Sequence, residues 1–386
     1  MKHLEILKQL NETFAANFYL VGGFVRDMLS DIHTEDYDIA TDLEPEKLLA
    51  IAEEKGIRAI PTGIKHGTVT VFLAGRDLEI TTFRKDFENN GRHCSVEYTK
   101  SIKEDSIRRD FTINALYLDD NNRIFDFHSG QDDLRKGRVR FIGSPEQRIN
   151  EDYLRMLRFF RFYADFDVNA ISLRDEALRK VFAENAHKVT NLSADRIGQE
   201  FIKLSKSKNY VKGFAALASF EEFCDIFNLR PNTVNAKDIE LIANYSEFIK
   251  LTLLYRNNLE GLLACKHFNW SNKQKGFVKA LIKAKNVSLD EQYLVKNAVV
   301  YSKDVIEFWA LAKYLDGDLI KFETLEAIEV LNSELPVFEV TGGDLIELGF
   351  TAGPQLGAIL KQVKDYWLTK QFPNKQKCLN FARNLL

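Results

Sequence analysis

No apolar run in this 386-residue chain approaches the about 18 residues that a membrane-crossing helix needs. The opening Met1-Lys2-His3-Leu4-Glu5 is charged and polar, so no secretory leader is expected and the protein is predicted to be cytoplasmic, with no membrane partner. The cysteines Cys94, Cys224, Cys265 and Cys378 lie far apart and form no C-x-x-C pair. That pattern fits buried or incidental thiols in a reducing compartment. The seven histidines show no zinc spacing either. Excess positive charge is also missing: the formal net charge is -3, which excludes a uniformly basic nucleic-acid coat and leaves only local basic surfaces. There is no exact repeat and no low-complexity linker. Phenylalanine is abundant at 29 residues, which predicts aromatic packing between helices. The length allows two or more domains with sizeable cores.

What is present starts at Tyr19-Leu20-Val21, a short predicted strand that feeds Gly22-Gly23-Phe24-Val25-Arg26-Asp27. Glycines let a phosphate approach the main chain, and a helix opening at Phe24 would carry Arg26 in its first turn as a cationic fork for triphosphate oxygens. Read alone, Gly22-Gly23 marks only a turn. Asp36-Tyr37-Asp38 follows, at a run from Tyr37 to Ala40 predicted as a strand; carboxylates at i and i+2 of a strand share a face, so Asp36 and Asp38 are predicted to chelate together. Magnesium prefers such oxygen ligands and completes its shell with substrate phosphates. A helix is expected over Leu48 to Glu54. Strands are expected over Gly67 to Leu73 and Leu78 to Phe83, joined by a turn at Gly75-Arg76-Asp77. Glu79 alternates with Leu78 and Ile80 and is the candidate third acid of the catalytic site.

From Arg84 to Lys103 the chain is polar and is predicted to be an irregular, mobile loop beside the site. Glu104-Asp105-Ser106-Ile107-Arg108-Arg109-Asp110-Phe111-Thr112-Ile113-Asn114-Ala115-Leu116 then forms a dense polar cluster running into an apolar strand or helix. Downstream, Glu151-Asp152-Tyr153-Leu154-Arg155-Met156-Leu157-Arg158-Phe159-Phe160-Arg161-Phe162 keeps helical spacing. It places Asp152 and Arg155 at i and i+3 of one helix, and Arg155, Arg158 and Arg161 along one ridge. Beyond residue 165 strand signals fade. Helices are predicted over Leu173 to Ala183, Ser193 to Ser205, Val211 to Leu217, Glu240 to Leu253, Glu307 to Tyr314, Phe322 to Leu331, Asp344 to Leu348, Pro354 to Trp367 and Lys375 to Leu385. Two segments are locally basic: Lys273, Lys275, Lys279, Lys283 and Lys285, and the stretch from Lys361 to Leu386. They are candidate contacts to an RNA phosphate backbone.

Taken in order, these motifs resemble the class II CCA-adding tRNA nucleotidyltransferases, a family within the superfamily that includes bacterial poly(A) polymerases. Gly22-Gly23-x-x-Arg26-Asp27 with Asp36-x-Asp38 resembles the catalytic motif, and Arg108 to Ala115 the ribose-recognition motif. Asp126 to Leu134 resembles the hinge, Glu151-Asp152-x-x-Arg155 the base-reading motif, and Ser193 to Ile197 a later neck motif that carries Asp195 where Glu is usual. Gly342-Gly343-Asp344-Leu345 resembles a tail segment. No His-Asp phosphohydrolase motif is found.

The resemblance implies an α+β protein: a small mixed-sheet head over residues 1–140, a helical neck over 141–210 and a helical body and tail over 211–386. It implies addition of C, C and A to the tRNA 3′ end from CTP and ATP, with two divalent ions (Mg2+) held by Asp36 and Asp38. Gly22, Gly23, Arg26, Arg109, Asp110, Asn114, Asp152, Arg155, Arg158 and Arg161 are then the nucleotide-binding candidates. An acid accepting from an amino group and an arginine donating to a ring nitrogen would select C and A over G and U. No obligate protein partner is evident. The rival readings are a poly(A) polymerase, an enzyme adding only CC or only A, and a noncatalytic RNA-binding protein.

Overall fold

The computed structural model describes residues 2–86, 96–167, 170–234, 239–240, 242–317 and 335–386. The chain divides into two compact units, Met1–Asn228 with Lys266–Asn269, and Leu229–Cys265 with Trp270–Leu386.

The first unit is built on a seven-stranded sheet in the order β3-β4-β5-β2-β1-β8-β9, with β1 Phe18–Val21, β2 Asp38–Thr41, β3 Ala59–Gly63, β4 Thr68–Leu73, β5 Arg76–Thr82, β8 Leu116–Leu118 and β9 Ile124–Asp126. Strands β1 and β2 run antiparallel, whereas β2 and β5 are parallel and pair Asp38 with Glu79. The sheet is therefore mixed, as expected. Alternation explains its faces. Val69, Val71, Leu78, Ile80 and Ile39 bury against α1 (Lys2–Phe14) and α3 (Pro45–Glu54) through Leu7, Leu10, Phe14 and Leu48. Asp38, Ala40 and Glu79 fall on the opposite face, beside the smaller cluster of Val21, Ala40, Phe83 and Tyr117.

Four expectations shift here. The β4–β5 turn is Ala74-Gly75, both left-handed at φ 53° and 71°, one residue earlier than expected and suited to a two-residue hairpin. Asp36 precedes β2 rather than lying in it, because sheet pairing starts at Asp38 while the Asp36 N–H donates to the Thr34 hydroxyl at 3.2 Å. The polar stretch from Arg84 to Lys103 is not wholly irregular: β6 (Arg84–Asp86) pairs antiparallel with β7 (Val96–Tyr98), and α4 (Ile102–Ile107) follows, capped by Ser101. The loop tip expected over residues 87–95 lies outside the described residues. The apolar run at Leu116, expected as strand or helix, is strand β8, whereas β3 and β9 add to the expected sheet; each is short, and pairing defines them.

Helices follow the sheet: α2 (Gly23–Leu29), from the head turn, and then α5 (Gly130–Arg135), α6 (Pro145–Glu151), α7 (Leu154–Phe166), α8 (Glu176–Asn185), α9 (Ala194–Lys206), α10 (Tyr210–Ala218) and α11 (Glu221–Phe227). The phenylalanines do what their number predicted. Phe159 stacks on Phe141 at 6.1 Å between ring centres and meets Phe182 edge-on at 5.0 Å. Helix α10 comes close to α7 at Gly213, where a Cβ would sit 3.1 Å from the Phe160 carbonyl oxygen and 2.5 Å from Leu204 Cδ1.

In the second unit the described helices are Glu247–Leu254, Leu259–Ala264, Asn272–Lys283, Glu291–Tyr301, Lys303–Leu315, Gly342–Glu347, Pro354–Thr369 and Lys375–Arg383. The helix expected over Glu240 to Leu253 is not continuous: Ser246 caps a new helix by accepting the Ile249 N–H. That expected over Phe322 to Leu331 lies outside the described residues. Lys273, Lys279 and Lys283 are exposed on one helix whose Val278 and Leu281 are buried. Lys275 is half-buried. Val340, Leu345, Val363, Trp367 and Cys378 form a separate core beneath the last helices.

Candidate active site

The turn after β1 needs glycine. Gly22 holds φ 65°, a left-handed conformation that strains other residues. It aims its N–H at the Leu116 carbonyl at 3.1 Å, which clamps the turn to β8. A Cβ on Gly22 would lie 3.4 Å from Arg109 Nη1, and one on Gly23 would lie 3.7 Å from both Arg26 Nη2 and Asp38 Oδ2. Side chains from α2, β2 and the segment after α4 thus converge on two glycines.

Asp38 is reachable by solvent yet crowded by protein. Desolvation, then the negative charges of Asp36 and Glu79, push its carboxyl up to about 6, against the opposing pull of Arg109 and Arg26. An acid in that position gains from a bound cation, so the donor set fits a divalent ion. Asp36 and Asp38 would hold it. Glu79 stands opposite Asp38 in register and is exposed. Among the described residues no group of three or more acids, histidines and cysteines is gathered closely enough to cage a metal.

The arginines are arranged differently. Arg26 is not an outward fork: Nη1 donates to Asn114 Oδ1 at 2.7 Å and Nε to Asp27 Oδ1 at 2.8 Å. Asn114 Nδ2 in turn donates to Asp110 Oδ1 at 3.1 Å, and Arg158 Nε donates to Asp110 Oδ2 at 2.7 Å. Burial opposes the charge on Asp110, but Arg158 and the bonds from Asn114 and the Phe111 N–H outweigh it and hold the carboxyl at about 2. Arg109 donates from Nε to the Tyr117 hydroxyl at 2.9 Å and from Nη2 to Asp105 Oδ2 at 3.1 Å. Asp105 also takes the Tyr117 O–H at 2.6 Å and Arg108 Nε at 2.8 Å. Desolvation works against its charge, yet Arg109 and Arg108 keep it at about 2.

Asp152 and Arg155 do not share a helix. Asp152 has extended backbone at φ -153° and ends α6, just before α7 begins. Its Oδ1 caps the new helix through the Leu154 N–H at 3.1 Å, and its Oδ2 accepts from Arg196 Nη2 at 2.8 Å. Arg155 instead donates to the carbonyl oxygens of Arg148 and Arg108 at 3.0 and 3.1 Å and to Glu151 Oε2 at 2.6 Å. The arginine ridge on α7 is real but internal: Arg155, Arg158 and Arg161 go to Glu151, Asp110 and Glu200, the last at 2.9 Å.

These features match known proteins. A poly A polymerase head domain model matches residues 18–140, and a tRNA nucleotidyltransferase domain 2 model matches residues 246–382. The CCA-adding enzyme of Streptococcus pyogenes serotype M1 is 32% identical over 381 residues, covering 94% of this chain and 91% of that protein. The chain belongs to the CCA-adding tRNA nucleotidyltransferases. The human mitochondrial CCA tRNA nucleotidyltransferase 1 is 31% identical over 391 residues, covering 94% of this chain and 86% of its own length. The Bacillus stearothermophilus CCA-adding enzyme, solved in complex with CTP, shares the fold with a TM-score of 0.78 at 24% identity, over 99% of this chain and 96% of that one.

Within this CCA-adding family member, the structure brings Gly22, Gly23, Arg26, Asp38, Arg109, Asp110, Asn114 and Arg158 into one neighbourhood. Lys273, Lys275, Lys279 and Lys283 belong to the second unit. Sequence reasoning missed Asp105, Tyr117, Arg196 and Glu200 as supports. Asp105 was findable, since it stands four residues before Arg109 on a helical turn. Glu200 carried no signal, because only the packing of α9 places it under Arg161. A nucleotidyltransferase depends on divalent metal as a class. No described helix is long and apolar enough to cross a membrane.

Proposed function

We propose that this protein adds C, C and A in turn to the 3′ end of tRNA, using CTP and ATP and no nucleic-acid template. The observation that carries the reading is the convergence of Asp38, Arg26 and Arg109 on the Gly22-Gly23 turn, which gathers an acid of raised pKa and two guanidiniums at one backbone turn. The tRNA 3′-hydroxyl attacks the α-phosphorus, and pyrophosphate leaves. Arg26 and Arg109 fix the triphosphate, so the geometry is set before reaction and little reorganisation remains. When bound at Asp36 and Asp38, magnesium supplies positive charge at the transferred phosphoryl group and lowers the pKa of the attacking hydroxyl. Glu79 adds negative charge beside that pair.

Base choice falls to Asp152 and Arg155: the carboxylate accepts from the amino group of C or A, and the guanidinium donates to the adjacent ring nitrogen. G and U offer the reverse pattern and leave buried polar groups unpaired. Arg196 fixes the Asp152 carboxylate for this task. The division of labour follows the chain: residues 1–140 catalyse, 141–210 read the base and 211–386 bind tRNA, with Lys273, Lys275, Lys279 and Lys283 as phosphate contacts. We place the protein in the cytoplasm.

The test supplies tRNA ending before CCA with CTP, ATP, both, or UTP and GTP, and sizes the products. Three added residues with CTP and ATP together support the reading. A long A tail would make it a poly(A) polymerase, and a stop after two C residues a CC-adding enzyme.

A further inference from the structure

Three guanidinium groups converge on the ring of Phe162. Arg161 stands 4.2 Å from the ring centre, Arg26 5.0 Å and Arg158 5.4 Å. The ring is 3% exposed, with Phe111 edge-on at 5.3 Å. Arg26 also lies 4.7 Å from the centre of Phe166, one helical turn further along α7. The stripe Arg158, Phe162, Phe166 has i, i+4, i+8 spacing, so α7 presents a cation and two rings on one face.

Gathering like charges in a buried place is unfavourable. Burial, and then the charges of Arg158 and Arg26 against the support of Glu200, leave the Arg161 guanidinium less basic than usual. An aromatic face offsets part of that cost, because its negative quadrupole attracts a cation within about 6 Å. The ring also closes a circuit. Arg26 bonds to Asn114, Asn114 to Asp110, and Asp110 to Arg158, while Arg158 and Arg26 both return to Phe162. The hydrogen-bonded side of this circuit sets where each guanidinium is attached, and the ring sets how it is turned.

We infer that Phe162 is a positioning residue that holds Arg26 of the glycine turn and Arg158 of α7 in one fixed arrangement for the triphosphate of the incoming nucleotide. The inference rests on the proposed nucleotide site. The triphosphate is common to CTP and ATP, so Phe162 acts on both alike. Asp152, by contrast, acts on the base.

Binding of CTP and of ATP, each with magnesium, is measured by calorimetry on the full chain, with thermal melting as a check on folding. Phe162→Leu keeps an apolar filler without a π face and weakens both nucleotides by roughly five- to tenfold. Mono-, di- and trifluorinated phenylalanines at position 162 keep size and shape while draining the negative face. Affinity then falls stepwise with fluorine number, a gradient that a merely structural ring would not produce. Unchanged affinity in Phe162→Leu, affinity flat across the fluorinated series, or a loss confined to one nucleotide overturns the inference. Because the readout is binding, it separates from the product assay. If the wild type fails to build CCA yet affinity tracks fluorination, the reading of function falls and the role of Phe162 stands.

Discussion

Two regions of the candidate site are built on opposite electrostatic plans. At the edge of β2, desolvation and then the charge of Asp36 push the Asp38 carboxyl up to about 6. Elsewhere in the site the guanidiniums of Arg109 and Arg158 are matched to the buried carboxylates of Asp105 and Asp110, both held at about 2. The acid side is electrostatically unfinished without a cation, whereas the arginine side is complete within the protein. The contrast teaches where preorganisation is stored: in bonds already made around Arg109 and Arg158, and in the unsatisfied negative charge at Asp38.

The sharpest way to break the comparison is to remove one acid of the β2 side. Asp38→Ala should lower nucleotide addition by at least about a thousandfold, because the charge that assists phosphoryl transfer is lost. It should leave the melting temperature of chelator-treated protein the same or higher. Retained addition, measured as labelled nucleotide incorporated into tRNA, would remove Asp38 from the metal site.

The pH dependence of the same protein has a worked sign. Asp38 has a folded value of about 6 against an ordinary 3.8, so its ionised form disfavours the fold. Acidifying chelated protein from about 6 toward about 4 relieves that penalty, since the folded state binds the extra proton. Asp38→Asn should flatten this part of the melting curve.

On the arginine side the order of effects reverses, with stability suffering first. Asp110→Ala removes the acceptor of the Asn114 amide and leaves Arg158 only the more distant Glu200 at 3.9 Å, and should destabilise the protein by about 3–5 kcal/mol, read from denaturant unfolding. The acid branch runs opposite to that of Asp38. Asp110 and Asp105 contribute stability above their ordinary 3.8, and it is lost as pH falls through about 2. A fully stable Asp110→Ala protein would mean that the circuit is decoration. The smallest effect is expected at the solvent-exposed pair Asp132–Lys136, 2.7 Å apart. Lys136→Ala should leave melting temperature and nucleotide addition unchanged, because exposed ion pairs are screened.

Much of this was legible before any coordinates. The two-residue spacing of Asp36 and Asp38, the Gly22-Gly23 turn and the Arg108-Arg109-Asp110 cluster are local chemistry, and local chemistry is written in neighbouring letters. The Asp152–Arg155 arrangement was misread because the periodicity of α7 runs smoothly back into α6. Nothing in the letters marks the extended backbone at Asp152 that separates them. Strands β3 and β9 escaped for a related reason: the pairing of β3 is irregular between Ile60 and Gly63, and the three residues of β9 give too little alternation to detect.

The sequence by itself determined the closeness of Asp36 to Asp38, the left-handed glycine before α2 and the alternation that turns Asp38 and Glu79 away from the core, since each follows from spacing of two or from the lack of a Cβ. Only the tertiary structure decided what each arginine does. A guanidinium reaches far enough to meet acids 39 and 48 residues away in the chain, as Arg161 does with Glu200 and Arg158 with Asp110. Which acid lies in reach depends on how α7 packs against α9 and the segment after α4, and that packing is a property of the folded chain as a whole.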